Sequence, residues 1–214
     1  MTYSVKEIYF TLQGEGAHTG RAAVFLRFSG CNLWSGREQH RHAAICKFCD
    51  TEFVGTDGPG GGKFAAAGEL ANAVSSAWAE QAPADRKYVV CTGGEPLLQL
   101  DDAAVNALHD AGFEVGVETN GTIAAPEGID WLCVSPKANA PVVQRSGSEL
   151  KLVFPQTEDA AQPDRFADLK FEYFFLQPCD DENLESNTRA AVDYCLRHPQ
   201  WRLSLQTHKI LGID

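Results

Sequence analysis

Short apolar runs that each end in a polar or glycine-rich cluster recur along this chain, and that rhythm most narrows the folds open to it. Ala22–Phe28 leads into Gly30-Cys31, residues 88–92 into Gly93-Gly94-Glu95-Pro96, residues 113–117 into Glu118-Thr119-Asn120-Gly121, and Trp131–Val134 into Ser135-Pro136-Lys137. Residues 150–154, 171–176 (followed by Gln177-Pro178-Cys179-Asp180) and 202–205 (followed by Gln206-Thr207-His208-Lys209) continue the pattern. Runs this short and apolar are strand-length, and residues 5–10 alternate as a half-buried strand does. Helical spacing is confined to residues 65–81, to Ala104, Val105, Leu108 and Ala111 behind a cap at Asp101 or Asp102, and to 187–198 before Pro199. Between residues 121 and 171 the helical signal is poor. The pattern predicts an α/β sheet or incomplete barrel with about six core strands and few helices, its polar groups gathered where the strands end.

Three cysteines, Cys31, Cys46 and Cys49, stand as C-x14-C-x2-C. The close pair can place two thiolates on one metal centre, yet the set is one ligand short of closed zinc or four-cysteine cluster coordination. His40 or His42 could complete a structural zinc site. A thioredoxin-like redox pair fits less well, because Lys47-Phe48 lies in a loop far from a strand-to-helix junction. Cys91, Cys133, Cys179 and Cys195 sit in apolar surroundings and read as small buried hydrophobes.

Other polar positions have two readings each. Thr11-Leu12-Gln13-Gly14-Glu15-Gly16 reads as a loop, either a turn or a backbone approach to a ligand. Arg27 inside an apolar run needs an anion, either an internal carboxylate or one on a ligand. Asp50 and Thr51 offer hard oxygens beside the cysteines, or a turn or cap. Residues 55–62 are glycine-rich without the lysine of a phosphate loop and read as a connection. Lys6 and Glu7 interrupt any leader-like apolar run, no stretch is long enough for a membrane span, and the net charge of −11 disfavours nucleic-acid binding. An odd count of seven cysteines without an export signal fits a reducing cytoplasm. The 214 residues fit one domain, 1–214.

The triple cysteine, the GGEP run at Gly93 to Pro96 and the opening YFTLQGEG at Tyr9 to Gly16 resemble the radical S-adenosylmethionine superfamily. Within it the chain resembles the 7-carboxy-7-deazaguanine synthase family, from TLQGEG to the terminal QTHK. It departs from the usual C-x3-C-x2-C spacing; variants of the family with the longer insertion exist. The resemblance implies a partial parallel β/α barrel, with residues 31–62 as cluster-binding loop and insertion. Cys31, Cys46 and Cys49 would hold three irons of a 4Fe-4S cluster, leaving the fourth to S-adenosyl-L-methionine. Around that cofactor the resemblance places Phe48, Cys49, Asp50, Gly94 and Glu118, then Ser135, Pro136 and Lys137, and Gln177, Pro178, Cys179 and Asp180; Glu95 would accept from its ammonium. Thr51 would ligate Mg²⁺ with Asp50 in support. Leu12, Gln13, Gly14, Glu15, Arg27, Thr92, His208 and the terminal Asp214 would contact a pterin substrate.

The implied activity is that of a carbon–nitrogen lyase. It contracts the ring of 6-carboxy-5,6,7,8-tetrahydropterin and releases ammonia, in queuosine or related deazapurine biosynthesis. A flavodoxin or ferredoxin reductant and a homodimer come with the resemblance. The alternatives are another radical S-adenosylmethionine enzyme, such as a glycyl-radical activase, and a non-catalytic zinc-binding module.

Overall fold

The computed structural model describes residues 2–79, 82 and 86–213. The strands are β1 (Tyr3–Leu12), β2 (Ala22–Phe28), β3 (Gly62–Phe64), β4 (Tyr88–Gly93), β5 (Glu114–Thr119), β6 (Trp131–Val134), β7 (Ser146–Phe154), β8 (Lys170–Pro178) and β9 (Trp201–Leu203). They form one sheet in the order β3-β1-β2-β4-β5-β6-β7-β8-β9. Every neighbouring pair from β2 to β9 is parallel, whereas β1 runs antiparallel to both β2 and β3. The sheet therefore ends at β3 and β9 instead of closing, which is the expected partial barrel, with seven parallel strands in the run.

Alternation along each strand separates two environments, because successive side chains point to opposite faces. Val24, Leu26 and Phe28 of β2, Val89 and Cys91 of β4, Leu132 and Val134 of β6, and Leu150 and Leu152 of β7 join one buried core. Helices α1 (Ala67–Ala79), α2 (Asp102–Asp110) and α3 (Leu184–Arg197) supply Leu70, Val74, Val105, Leu108 and Ala191 to that core. Each buried valine or leucine among them contributes about 1.5–3 kcal/mol. The intervening residues, among them Arg27, Thr92, Cys133, Ser135 and Lys151, face a cavity on the other side.

Several element boundaries differ from the sequence reading. Thr11 and Leu12, expected in a loop, extend β1 because they pair with Ala23 and Ala22 of β2. Asp101, rather than Asp102, caps α2: its Oδ1 accepts from Ala104 N at 3.0 Å and from Tyr3 Oη at 2.7 Å. α3 begins at Leu184, ahead of the apolar spacing, where Asp181 Oδ1 accepts from Asn183 N at 2.7 Å. The last strand stops at Leu203, and Ser204 N donates to Leu176 O at 2.9 Å. Between residues 121 and 171 only two short 3-10 turns appear, Asp159–Ala161 and Pro163–Arg165, so this segment supplies no α-helix.

Candidate active site

The C-terminal ends of β2, β4, β5, β6, β7 and β8 surround a cavity of about 440 Å³. Of the residues that the resemblance places around cluster, cofactor, Mg²⁺ and substrate, its wall contains all but Cys31, Glu95, Pro136 and Asp214, and the zinc alternatives His40 and His42 also lie off it. Pro136 is buried beneath the surface, and Asp214 lies outside the described residues. Cys31 stands directly behind Gly94. A Cβ built on Gly94 comes 2.8 Å from that of Cys31 and collides with the carbonyl oxygen of Gly30. The GGEP turn and the loop after β2 therefore touch backbone to backbone, and only glycine permits it. Gly30 turns at φ 90°, and its carbonyl accepts from Glu95 N at 2.9 Å.

Cys46 and Cys49 lie on the cavity wall itself. The Cys46 thiol hydrogen-bonds to the Cys49 sulfur and lowers the Cys49 pKa to about 6 against the opposing effect of burial, with the Thr51 backbone amide adding to the lowering. The same hydrogen bond, with burial, pushes Cys46 up. The contact therefore favours ionisation within the pair at Cys49, and the thiolate is the form in which cysteine binds metal. Arg41 stitches the insertion to the pair: Nη1 donates to Lys47 O at 2.8 Å and Cys49 O at 3.1 Å, and the guanidinium lies over Trp34. His40 pairs with Ser35 on the exposed insertion, 2.9 Å away. No group of three or more His, Cys, Asp or Glu among the described residues is gathered tightly enough for one metal ion. A cysteine disposed to ionise, two further cysteines and a glycine-cleared wall beside open space suit the larger frame of a three-cysteine cluster.

The cavity floor is ionic. Glu15 Oε2 accepts from Lys151 Nζ at 2.5 Å, and its Oε1 accepts from Gln177 at 3.1 Å and Gln206 at 3.0 Å. Lys151 also reaches Glu118 Oε1 at 3.4 Å, where Gln13 Nε2 donates at 3.0 Å. Arg27 donates through Nε to Glu7 at 2.7 Å and through Nη2 to the Tyr9 hydroxyl at 2.8 Å. The internal carboxylate is therefore present, and Arg27 still lines the cavity. Glu95 is 0% exposed. Its carboxylate accepts from Leu97 N, Thr119 Oγ1 and Asn120 N at 3.0, 2.7 and 2.8 Å. Glu95 thereby ties the ends of β4 and β5 together and lies behind the cavity wall. Lys137 Nζ donates to Ser135 O at 2.8 Å and lies over the Phe48 ring.

No protein-family model matches the chain. A 7-carboxy-7-deazaguanine synthase of Caulobacter vibrioides is 68% identical over 213 residues, covering 100% of both chains. The chain belongs to the 7-carboxy-7-deazaguanine synthase family. Members bearing that name from Bradyrhizobium diazoefficiens and Bacteroides thetaiotaomicron are 64% and 41% identical, again over 100% of both chains. The crystal structure of QueE from Escherichia coli superposes with a TM-score of 0.73 at 26% identity, covering 96% of this chain and 94% of that one.

In this member of the synthase family the segment after β9 lines the cavity through Gln206, His208 and Lys209. Thr207 donates its backbone N–H and its hydroxyl to Gly14 O at 2.9 and 3.0 Å, and a Cβ on Gly14 would run into the His208 ring. His208 begins α4 (Thr207–Leu211) with its neighbour, and Lys209 reaches Asp50 and Asp180. Sequence reasoning missed Lys6, Tyr9, Lys151, Gln206 and Lys209, all on the wall. Lys151 carried a usable signal, since it sits between Leu150 and Leu152 as Arg27 sits between Leu26 and Phe28.

Proposed function

We propose that this chain is a radical S-adenosylmethionine lyase that converts 6-carboxy-5,6,7,8-tetrahydropterin into 7-carboxy-7-deazaguanine and ammonia. The observation that carries the reading is convergence: the C-x2-C pair, the GGEP turn, Arg27 and the Gln13-Gly14-Glu15 loop all border one cavity. When bound, a 4Fe-4S cluster with S-adenosylmethionine supplies the radical that takes hydrogen from C6 of the pterin. Cys31, Cys46 and Cys49 hold that cluster.

Arg27 is braced by Glu7 and Tyr9, so its fork is oriented before a substrate carboxylate arrives. Gln13 and Glu15, with the backbone of Leu12 and Gly14, face the donor and acceptor edge of the pterin ring, and Thr92 and His208 border it. Thr51 offers one hard oxygen to Mg²⁺, which orients the carboxylate, with Asp50 in support. Glu118 takes ribose hydroxyls of S-adenosylmethionine. Phe48, Gly94, Ser135, Lys137 and the 177–180 segment position its remainder. Closure by α4 excludes water from the reacting ring. We assign the same chain a flavodoxin or ferredoxin reductant, a homodimeric state, a cytoplasmic location and a single domain, residues 1–214.

The test is product mass after anaerobic reconstitution, with the carboxytetrahydropterin, S-adenosylmethionine, Mg²⁺ and reductant supplied. A product lighter than substrate by one ammonia is expected. Cleavage of S-adenosylmethionine without that product, from protein with a full cluster, would remove this substrate from the reading.

A further inference from the structure

Lys209 holds two carboxylates at once. Its Nζ is 2.6 Å from Asp50 Oδ2 and 2.5 Å from Asp180 Oδ2. Asp50 lies between Cys49 and Thr51 on the C-x2-C loop, while Asp180 belongs to the loop after β8, and both line the cavity. Without an ammonium between them these carboxylates would face each other as like charges. The residues just before Lys209 reach a third segment: Gln206 donates to Glu15 at 3.0 Å and Thr207 N to Gly14 O at 2.9 Å. Three separate segments therefore meet through one short helix.

That helix has little else to hold it. None of its residues is buried, and Ile210 and Leu211 are 71% and 63% exposed. Apolar burial contributes little to its placement, so its polar contacts decide where it sits. The side chains of Lys209, Asp50 and Asp180 are 38%, 54% and 35% exposed, which leaves both ion pairs open to screening by salt. Weak, screened pairs suit a cover that must open in each turnover.

We propose that Lys209 is a positioning residue that latches α4 over the cavity by bridging the C-x2-C loop to the loop after β8. The inference rests on the functional reading above, because it assigns the latch the task of covering a bound pterin. The ammonium sets how tightly the cover closes, while the groups that touch substrate remain those of the wall.

Hydrogen exchange of the reconstituted holoenzyme tests this without turnover. In Lys209→Ala at low salt, amides of residues 207–213 are expected to exchange about tenfold faster, the scale of two partly exposed ion pairs removed together. High salt should bring the wild type to the rate of the variant and leave the variant unchanged, and Lys209→Arg should restore protection at low salt. KM for the pterin is expected to rise in Lys209→Ala, with more 5′-deoxyadenosine released per product formed. Equal protection of 207–213 in wild type and Lys209→Ala at low salt would overturn the latch. So would faster exchange that extended equally to β4–β7, since that marks general loosening. Altered exchange confined to α4 in an enzyme that makes no deazaguanine would uphold the latch and count against the functional reading.

Discussion

The ammonium of Lys151 lies 2.5 Å from the carboxylate of Glu15 inside the strand array, with both side chains largely shielded from water. Burial alone would raise the Glu15 pKa, but the charge and hydrogen bond of Lys151 and the amide of Gln206 outweigh it and hold the carboxyl below its ordinary value. Burial likewise opposes the Lys151 charge, and Glu118 and Glu15 together keep its pKa well above the usual lysine value. Both groups are therefore charged in the folded protein around neutral pH, and the floor of the cavity is a fixed ionic array.

Removing one side of that array leaves a buried carboxylate without compensation. Lys151→Met is expected to cost about 3–5 kcal/mol in urea unfolding. The double variant Lys151→Met/Glu15→Gln should recover part of the loss, because no bare charge remains at Glu15. A single-variant loss below about 1 kcal/mol would show that the side-chain amides alone satisfy Glu15.

Acid should weaken the fold in a particular way. Glu15 titrates lower in the folded state than the ordinary 4.5, so its contribution is present above pH 4.5 and disappears as pH falls through the folded value. Glu149 is opposite in sign: burial raises its folded pKa, so it disfavours the fold as pH rises through that raised value. Glu149→Gln is thus expected to be more stable than wild type at neutral pH, with the gain shrinking as pH falls towards 4.5. Urea midpoints across that range read the difference, and a gain independent of pH would contradict the assignment.

Gly94→Ala tests the contact between the GGEP turn and Cys31. The added methyl must displace the backbone oxygen of Gly30 or the Cβ of Cys31. Iron retained after anaerobic reconstitution is expected to fall while far-ultraviolet circular dichroism stays unchanged. Full iron with normal S-adenosylmethionine affinity would mean that the two loops give way without consequence.

Cys49→Ala removes the sulfur most disposed to ionise. Cluster assembly should be abolished, leaving colourless protein at background iron. A brown, iron-replete variant would take Cys49 out of the ligand set.

Arg27→Lys keeps the charge but gives up the planar fork that Glu7 and Tyr9 orient. kcat/KM for the carboxylated pterin is expected to drop about tenfold or more, the equivalent of one charge-assisted hydrogen bond. An unchanged value would confine Arg27 to its pairing with Glu7.

Much of this architecture was legible because strand ends announce themselves in sequence. The GGEP run at the end of β4 and the Gly30-Cys31 step after β2 mark where the chain leaves the sheet, and the two pack against each other at Gly94. Arg27 stood out as a charge in an apolar run, yet Glu7 could not be named as its partner, since pairing Glu7 with Arg27 depends on the antiparallel register of β1 and β2. Lys151 was absorbed into a run read only as apolar, although its neighbours face the core and it faces the cavity. Thr11 and Leu12 looked like loop because composition is local, while their strand geometry comes from pairing with Ala23 and Ala22. Glu95 reads as an acceptor in sequence, but its partners Thr119 and Asn120 come from the neighbouring strand end and no local pattern encodes them.

The alternation of β7 has a consequence for how this protein can vary. Leu150 and Leu152 belong to the core, and Lys151 between them belongs to the site. Substitution at 153 can retune the cavity with the core untouched, and substitution at 151 acts through the ionic floor alone. Loss or gain of a single codon within the strand has no such freedom: it would swap the parity of the strand residues after it, sending the ammonium into the apolar core and a leucine into the ionic floor. Stability and chemistry are interleaved here at one-residue spacing, so this stretch can evolve by replacement and scarcely at all by change of length.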